Sequence, residues 1–129
     1  MSFLKNIFGG NSSENPASTM DWHVLNDLQQ LDVIVEESKS KPVLLFKHST
    51  RCIISRTVLK NFEKEFNLAD KLTPYYLDLL EYRPISNAIA ERFQVTHQSP
   101  QILLIKDGKC VYDASHEGIE VKSLHVNLM

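Results

Sequence analysis

PVLLFKHSTRCIISRTVLKNFEKEFN, residues 42–67, changes character once, and the change falls at a cysteine. Pro42 opens an apolar run through Phe46 that is too short for a helix and fits a strand buried on both faces. Beyond Cys52 the period lengthens. Ile54, Val58, Phe62 and Phe66 fall on one stripe, with Lys60, Glu63 and Lys64 outside it. That spacing predicts an amphipathic helix beginning at or just after Cys52. A strand therefore leads directly into a thiol at a helix start.

Working outward, Asp21 to Lys41 carries Trp22, Leu25, Leu28, Leu31, Ile34 and Val35 at three- to four-residue steps, which predicts a helix face broken near Gln30 and Leu31, with Asp32 capping the second part. TPYYLDLL, with the strand placed over 74–80, reads as a second strand, and RPISNAIAERFQV as a second helix with Pro84 in its first turn. QILLIKDGKCVYDAS gives two strands joined by Asp107-Gly108, a hairpin signal. EVKSLHVNLM is a last helical segment. The order predicts an α/β domain over residues 21–129, with a central mixed sheet of about four strands flanked by helices. Strands 42–48 and 74–80 are expected to run parallel through a right-handed crossover.

The 129 residues suit one core, the 43% hydrophobic share is ordinary for a globular protein, and the net charge of −2 provides no global field for nucleic acid, so no nucleic-acid partner is expected. GGNSSENPAST is poor in large apolar residues, and residues 1–20 read as a flexible lead-in. Phe3, Leu4, Ile7 and Phe8 never form the core of a secretory signal, and no stretch reaches the roughly 20 apolar residues of a membrane span. The expectation is a cytoplasmic protein with no membrane partner. Two cysteines, Cys52 and Cys110, are too few for a disulfide framework, and the five histidines have no ligand spacing, so no metal is assigned.

A thiolate is favoured where helix amides and nearby cations hold negative charge, which can lower a thiol pKa from about 8.5 to roughly 3.5–7.5. Cys52 has such a position. Ser55 and Arg56 follow at three and four residues, on the face that the sulfur shares, so the serine hydroxyl is placed to donate to a thiolate without forming a disulfide with it. Lys47, His48, Arg51 and Arg56 gather cations around it, suited to a carboxylate-bearing thiol. The plainer alternatives are solvated loop cations and a small buried cysteine. His48, His97 and His116 are candidate proton shuttles, with ordinary turn or surface histidines as the alternative. Trp22, Tyr75, Tyr76 and Phe93 are assigned to packing.

Pro100 follows Ser99 at the start of a strand, where a cis peptide is often kept. If that strand runs antiparallel to 42–48, Pro100 reaches the edge that bears Cys52, and the returning strand brings Ser115, His116, Glu117 and Gly118 there too. Cys110 then lies about 15 Å from that edge, too far to bridge to Cys52.

The strand, the cysteine at a helix start and the Ser-Pro before a hairpin resemble the thioredoxin fold. More specifically, KHSTRC (47–52) with SPQILLIKDGKCVYDASHEGI (99–119) is similar to the bacillithiol-system monothiol family, the YtxJ-type monothiol bacilliredoxins, over roughly residues 22–125. The resemblance implies one redox cysteine, Cys52, that removes bacillithiol from protein mixed disulfides. Bacillithiol-modified proteins are then the partners and bacillithiol, a low-molecular-weight thiol, the co-substrate, with no tightly bound cofactor. Thr50 belongs to the same motif, and Ser99 and Pro100 would position the bound backbone or thiol. By charge, Arg51, Arg56 or Lys47 suit the malate carboxylates of bacillithiol. Phe46 stands six residues before the thiol, where dithiol thioredoxins bury an acid. Two other readings stay open. CIISR also resembles the C-x-x-S-R signature of arsenate reductases, although it lies some fifty residues into the chain. A binding module or iron-sulfur carrier would keep one Cys and a Ser, but cluster-carrying monothiol glutaredoxins have Gly where this chain has Ile53.

Overall fold

The computed structural model describes residues 20–128. The lead-in expected over residues 1–20, including the Phe3, Leu4, Ile7 and Phe8 group, lies outside the described residues except for Met20, as does Met129. Nine elements of helix and strand follow: β1 (His23–Val24), α1 (Gln30–Glu37), β2 (Val43–His48), α2 (Ile53–Glu65), β3 (Thr73–Asp78), α3 (Arg83–Phe93), β4 (Gln101–Lys106), β5 (Lys109–Ser115) and α4 (Val121–Asn127), with a 3-10 turn at His116–Gly118.

The strands form one sheet in the order β1-β3-β2-β4-β5. β1, β3 and β2 are parallel, β4 is antiparallel to β2, and β5 is antiparallel to β4. All six residues of β2 are buried. Their alternation feeds two cores: Val43 and Leu45 join Leu31, Ile34, Ile85, Ile89 and Phe93 on the α1 and α3 side. Leu44 and Phe46 join Phe62, Val121 and Leu124 on the α2 and α4 side. A near-continuous apolar run is what a strand covered by helices on both faces requires.

The hairpin forms at Asp107-Gly108, both with positive φ (51° and 77°), the backbone that a tight two-residue turn needs. Its tip is fastened to the end of α1, where Ser38 Oγ accepts the Gly108 amide at 2.8 Å. A side chain on Gly108 would also meet Val35 at 3.2 Å.

Four expectations are corrected. The fifth strand is β1, taken from a stretch expected to be helical: only Gln30–Glu37 forms α1. Trp22 and Leu25 explain why, because they enter opposite cores, and a single helix stripe cannot reach both sides of a sheet. Trp22 packs on Phe46, Tyr76 and Phe62 at ring centroid distances of 5.7, 5.9 and 6.3 Å. Asp32 is no cap either; it lies in the first turn of α1 and binds Arg92 at 2.7 Å. On α2 the inward stripe runs through Ser55, Val58, Phe62 and Phe66, and Ile54 is 63% exposed. β3 ends at Asp78, so residues 79 and 80 fall in the following turn.

Candidate active site

Cys52 is the N-cap residue of α2, extended at φ −99° and ψ 122°. Its carbonyl accepts the first helical bond, from Arg56 N at 3.0 Å, and its amide donates to Ser49 O at 3.2 Å. The run β2, turn, helix thus fixes the backbone on both sides of the thiol. The side chain is half-buried and the thiol is free. Helix amides that lack intrahelical partners point toward this end.

Ser55 is fully buried. Its hydroxyl lies 2.8 Å from His48 Nδ1 and accepts the Ser49 amide at 3.1 Å. Neither partner is the Cys52 sulfur, so the hydrogen bond expected from Ser55 to the thiol is replaced by one that ties β2 to α2. His48, at 2% exposure, is correspondingly an interior group. Burial pushes its pKa down and Arg56 adds to this, while Asp78 and the bond to Ser55 act the other way. Asp78 is its register partner on β3.

Lys47 departs most from expectation. Read as one of four cations around the thiol, suited to a carboxylate or else solvated, it is 0% exposed, and its ammonium is the one buried side-chain nitrogen or oxygen without a hydrogen-bond partner among the described residues. Its position between Leu77 and Gln101, in phase with Val43 and Leu45, turns it toward the α3 side. Burial lowers its pKa from 10.5 to about 8.

The remaining predicted residues divide by exposure. Thr50 and Arg51 are exposed and, with Asp78, Leu80 and Glu81, line an open cleft of about 450 Å³. Arg56 is exposed on α2. Ile53 beside the thiol is 70% exposed, which with Ile54 gives the site an apolar rim. The Ser99-Pro100 peptide is cis. Gln101 holds the approach to it, accepting Gln98 N at 3.3 Å and donating to Thr96 O at 3.0 Å.

Register brings these segments to one edge. Lys47 pairs with Gln101, and Gln101 with Ser115. His116 N donates to Pro100 O at 3.1 Å, and His116 and Gly118 are exposed beyond it. Cys110 pairs instead with Ile105, the partner of Val43, at the opposite end of β2. Its thiol donates to Tyr112 O at 3.3 Å, and burial pushes its pKa up.

Sequence reasoning missed Asp78, Ser86 and Arg83. Ser86 is fully buried with its hydroxyl 3.3 Å from His97 Nδ1. His97 was singled out only as a shuttle; its pKa is lowered by burial, then by Lys47 and Arg83. The available signal was Lys47 itself, a lysine inside an apolar strand run.

A family model described as monothiol bacilliredoxin BrxC matches residues 23–124. Among solved structures, one described as an oxidoreductase with a thioredoxin fold is 31% identical, with a TM-score of 0.70, covering 80% of this chain and 89% of its own. Thioredoxin from Fasciola hepatica is 21% identical at a TM-score of 0.62, over 82% of this chain and 95% of its own. Malassezia sympodialis thioredoxin is 17% identical at 0.64, over 91% and 96%. The last two show the shared fold alone.

Proposed function

Because the chain belongs to the monothiol bacilliredoxin family and has the thioredoxin fold, we propose that it is a thiol-disulfide oxidoreductase that removes bacillithiol from protein mixed disulfides through Cys52. Family membership supports a thiol redox role.

One observation carries it. The residue in the position of a second active-site cysteine is Ser55, sealed in the interior by His48 and Ser49, and Cys110 is at the far end of the sheet. A disulfide formed at Cys52 therefore has no internal thiol to resolve it. An external thiol must do so.

In the proposed cycle the Cys52 thiolate attacks the bacillithiol sulfur of a modified protein. The protein thiolate leaves in reduced form, and Cys52 holds bacillithiol as a mixed disulfide. A second bacillithiol thiolate then attacks the bacillithiol sulfur of that disulfide, releasing the Cys52 thiolate and one bacillithiol disulfide. One disulfide is consumed and one formed: the target sulfur gains what the sulfur of the single incoming bacillithiol loses, so the exchange balances without an outside oxidant or reductant. Arg51, on the exposed turn, and Arg56 are available to the incoming thiol, and Pro100 and His116 border its approach.

The test uses a reporter protein carrying a bacillithiol mixed disulfide. With Cys110→Ser protein, intact mass spectrometry is expected to show one bacillithiol gained on this chain and lost from the reporter. Cys52→Ser is expected to show no transfer. Transfer that persists in Cys52→Ser, or none in Cys110→Ser, sinks the proposal.

A further inference from the structure

The ammonium of Lys47 is a fully buried cation without a hydrogen-bond partner among the described residues. On the α3 side of β2 its register partner Gln101 binds the backbone on both sides of His97, at Thr96 O and Gln98 N, and the His97 ring lies 3.3 Å from the Ser86 hydroxyl; the pKa of His97 is lowered by burial and then by the charges of Lys47 and Arg83. Ser86 and Arg83 belong to the first turn of α3, an eleven-residue helix whose N-cap, Tyr82, supplies no side-chain bond and whose first turn contains no acidic residue. A helix N-terminus is a positive end that favours an anion; at α3 Pro84 has no amide proton and the Ile85 and Ser86 amides donate to Tyr82 O at 3.0 and 3.2 Å, so this end contributes its dipole and not a cradle of free amides. Lysine, guanidinium and helix end thus raise the positive potential in one place, at the sheet edge that bears Cys52 and beside the segment leading to Pro100.

The geometry points to an anion site between Lys47, His97, Ser86 and the N-terminus of α3, made for a carboxylate and filled by the carboxylate arm of the low-molecular-weight thiol carried on Cys52. The occupant rests on the redox reading above; the site does not. His97 is half-buried on the irregular segment between α3 and β4, so the anion enters by displacing its ring from Ser86, whose hydroxyl then donates to the anion. The exposed Arg51 and Arg56 are weaker candidates for the same arm, because solvated ion pairs contribute little. The desolvation of Lys47 is already complete in the folded chain, so a carboxylate that reaches it keeps most of the attraction, as a charge-assisted hydrogen bond.

Sodium malate is the probe, with sodium chloride at equal ionic strength as the control and the ring signals of His97 followed by NMR. The expected result is a saturable shift of His97 with malate alone and a rise in its pKa. Lys47→Met, which replaces the ammonium with an apolar chain of similar length, is expected to weaken malate by about tenfold or more, the equivalent of about 1.4 kcal/mol. No saturable shift, or equal affinity in Lys47→Met, overturns the site.

The occupant is tested on Cys110→Ser protein whose Cys52 thiolate has been loaded with bacillithiol disulfide, one bacillithiol thiolate leaving. Malate is expected to bind this form at least about tenfold more weakly, because the tethered arm competes. Undiminished malate binding overturns the assignment to the thiol. Failure of Cys52 to load overturns the redox reading and the occupant together, while the malate titration still decides the site.

Discussion

Lys47 and His48 are consecutive residues of β2, at 0% and 2% exposure, and they face opposite sides of the sheet with opposite results. On the α2 side His48 finds Ser55 at 2.8 Å, and Ser55 also accepts an amide, so each buried polar group has a partner. On the α3 side the Lys47 ammonium has none. One strand end therefore supports both a closed network, which joins β2 to the helix that bears the thiol, and an open demand for negative charge. The first is a structural solution. The second lowers stability without return unless something binds there.

The largest test of that contrast is Lys47→Met. Burial moves the lysine from 10.5 to about 8, a difference equivalent to about 3 kcal/mol. The variant is expected to be more stable than the parent at pH 7 by about that order in urea unfolding. The sign with pH is fixed: because the folded pKa is depressed, the unfolded chain binds more protons between pH 8 and 10.5, and parental stability rises across that window. The advantage of Lys47→Met should be full below pH 8 and fade as pH rises to 10.5. A variant no more stable than the parent would mean that the ammonium is satisfied.

Ser55→Ala probes the closed side and should act with the opposite sign. It leaves the Ser49 amide and His48 Nδ1 without their buried partner, a loss of about 1–3 kcal/mol. Urea unfolding measures it at pH 7. If Ser55→Ala proves neutral, the His48 and Ser55 contact is incidental, and the two faces differ less than their geometry indicates.

Much of this fold was legible because its signals are local. The apolar run at 43–46, Asp107-Gly108 and Pro84 each fix an element through backbone chemistry, and all three appear where expected. The placement of Cys52 at the start of α2 was legible for the same reason. What failed was any reading that needed to know which side of the sheet a residue faces. Trp22 and Leu25 have helical spacing, yet they separate into two cores, so β1 and its turn were hidden. Lys47 read as one cation among four, because a strand's phase relative to its helices is a tertiary fact. Ser55 was correctly placed on the thiol's helix, but its attachment to His48 depends on two segments meeting. Cys52, Pro100 and Ser115 could be gathered to one edge because antiparallel register follows from the hairpin.

The smallest predicted effect separates the two faces most cleanly, because it reads two histidines in one protein. Both have depressed pKa values, and for both burial is the first cause. Each therefore contributes stability that is present above the ordinary histidine value of 6.5 and is lost as pH falls through its folded value. Beyond burial the causes differ. His97 is held down by Lys47 and Arg83, whereas His48 answers to Asp78, Arg56 and Ser55. In Lys47→Met the pKa of His97 should rise part of the way toward 6.5 and that of His48 should stay where it is, as followed by NMR titration of the ring protons. If both move together, the sheet does not insulate its two sides, and the charge on Lys47 reaches the network behind the thiol. If neither moves, Lys47 lies too far from His97 to share an anion with it.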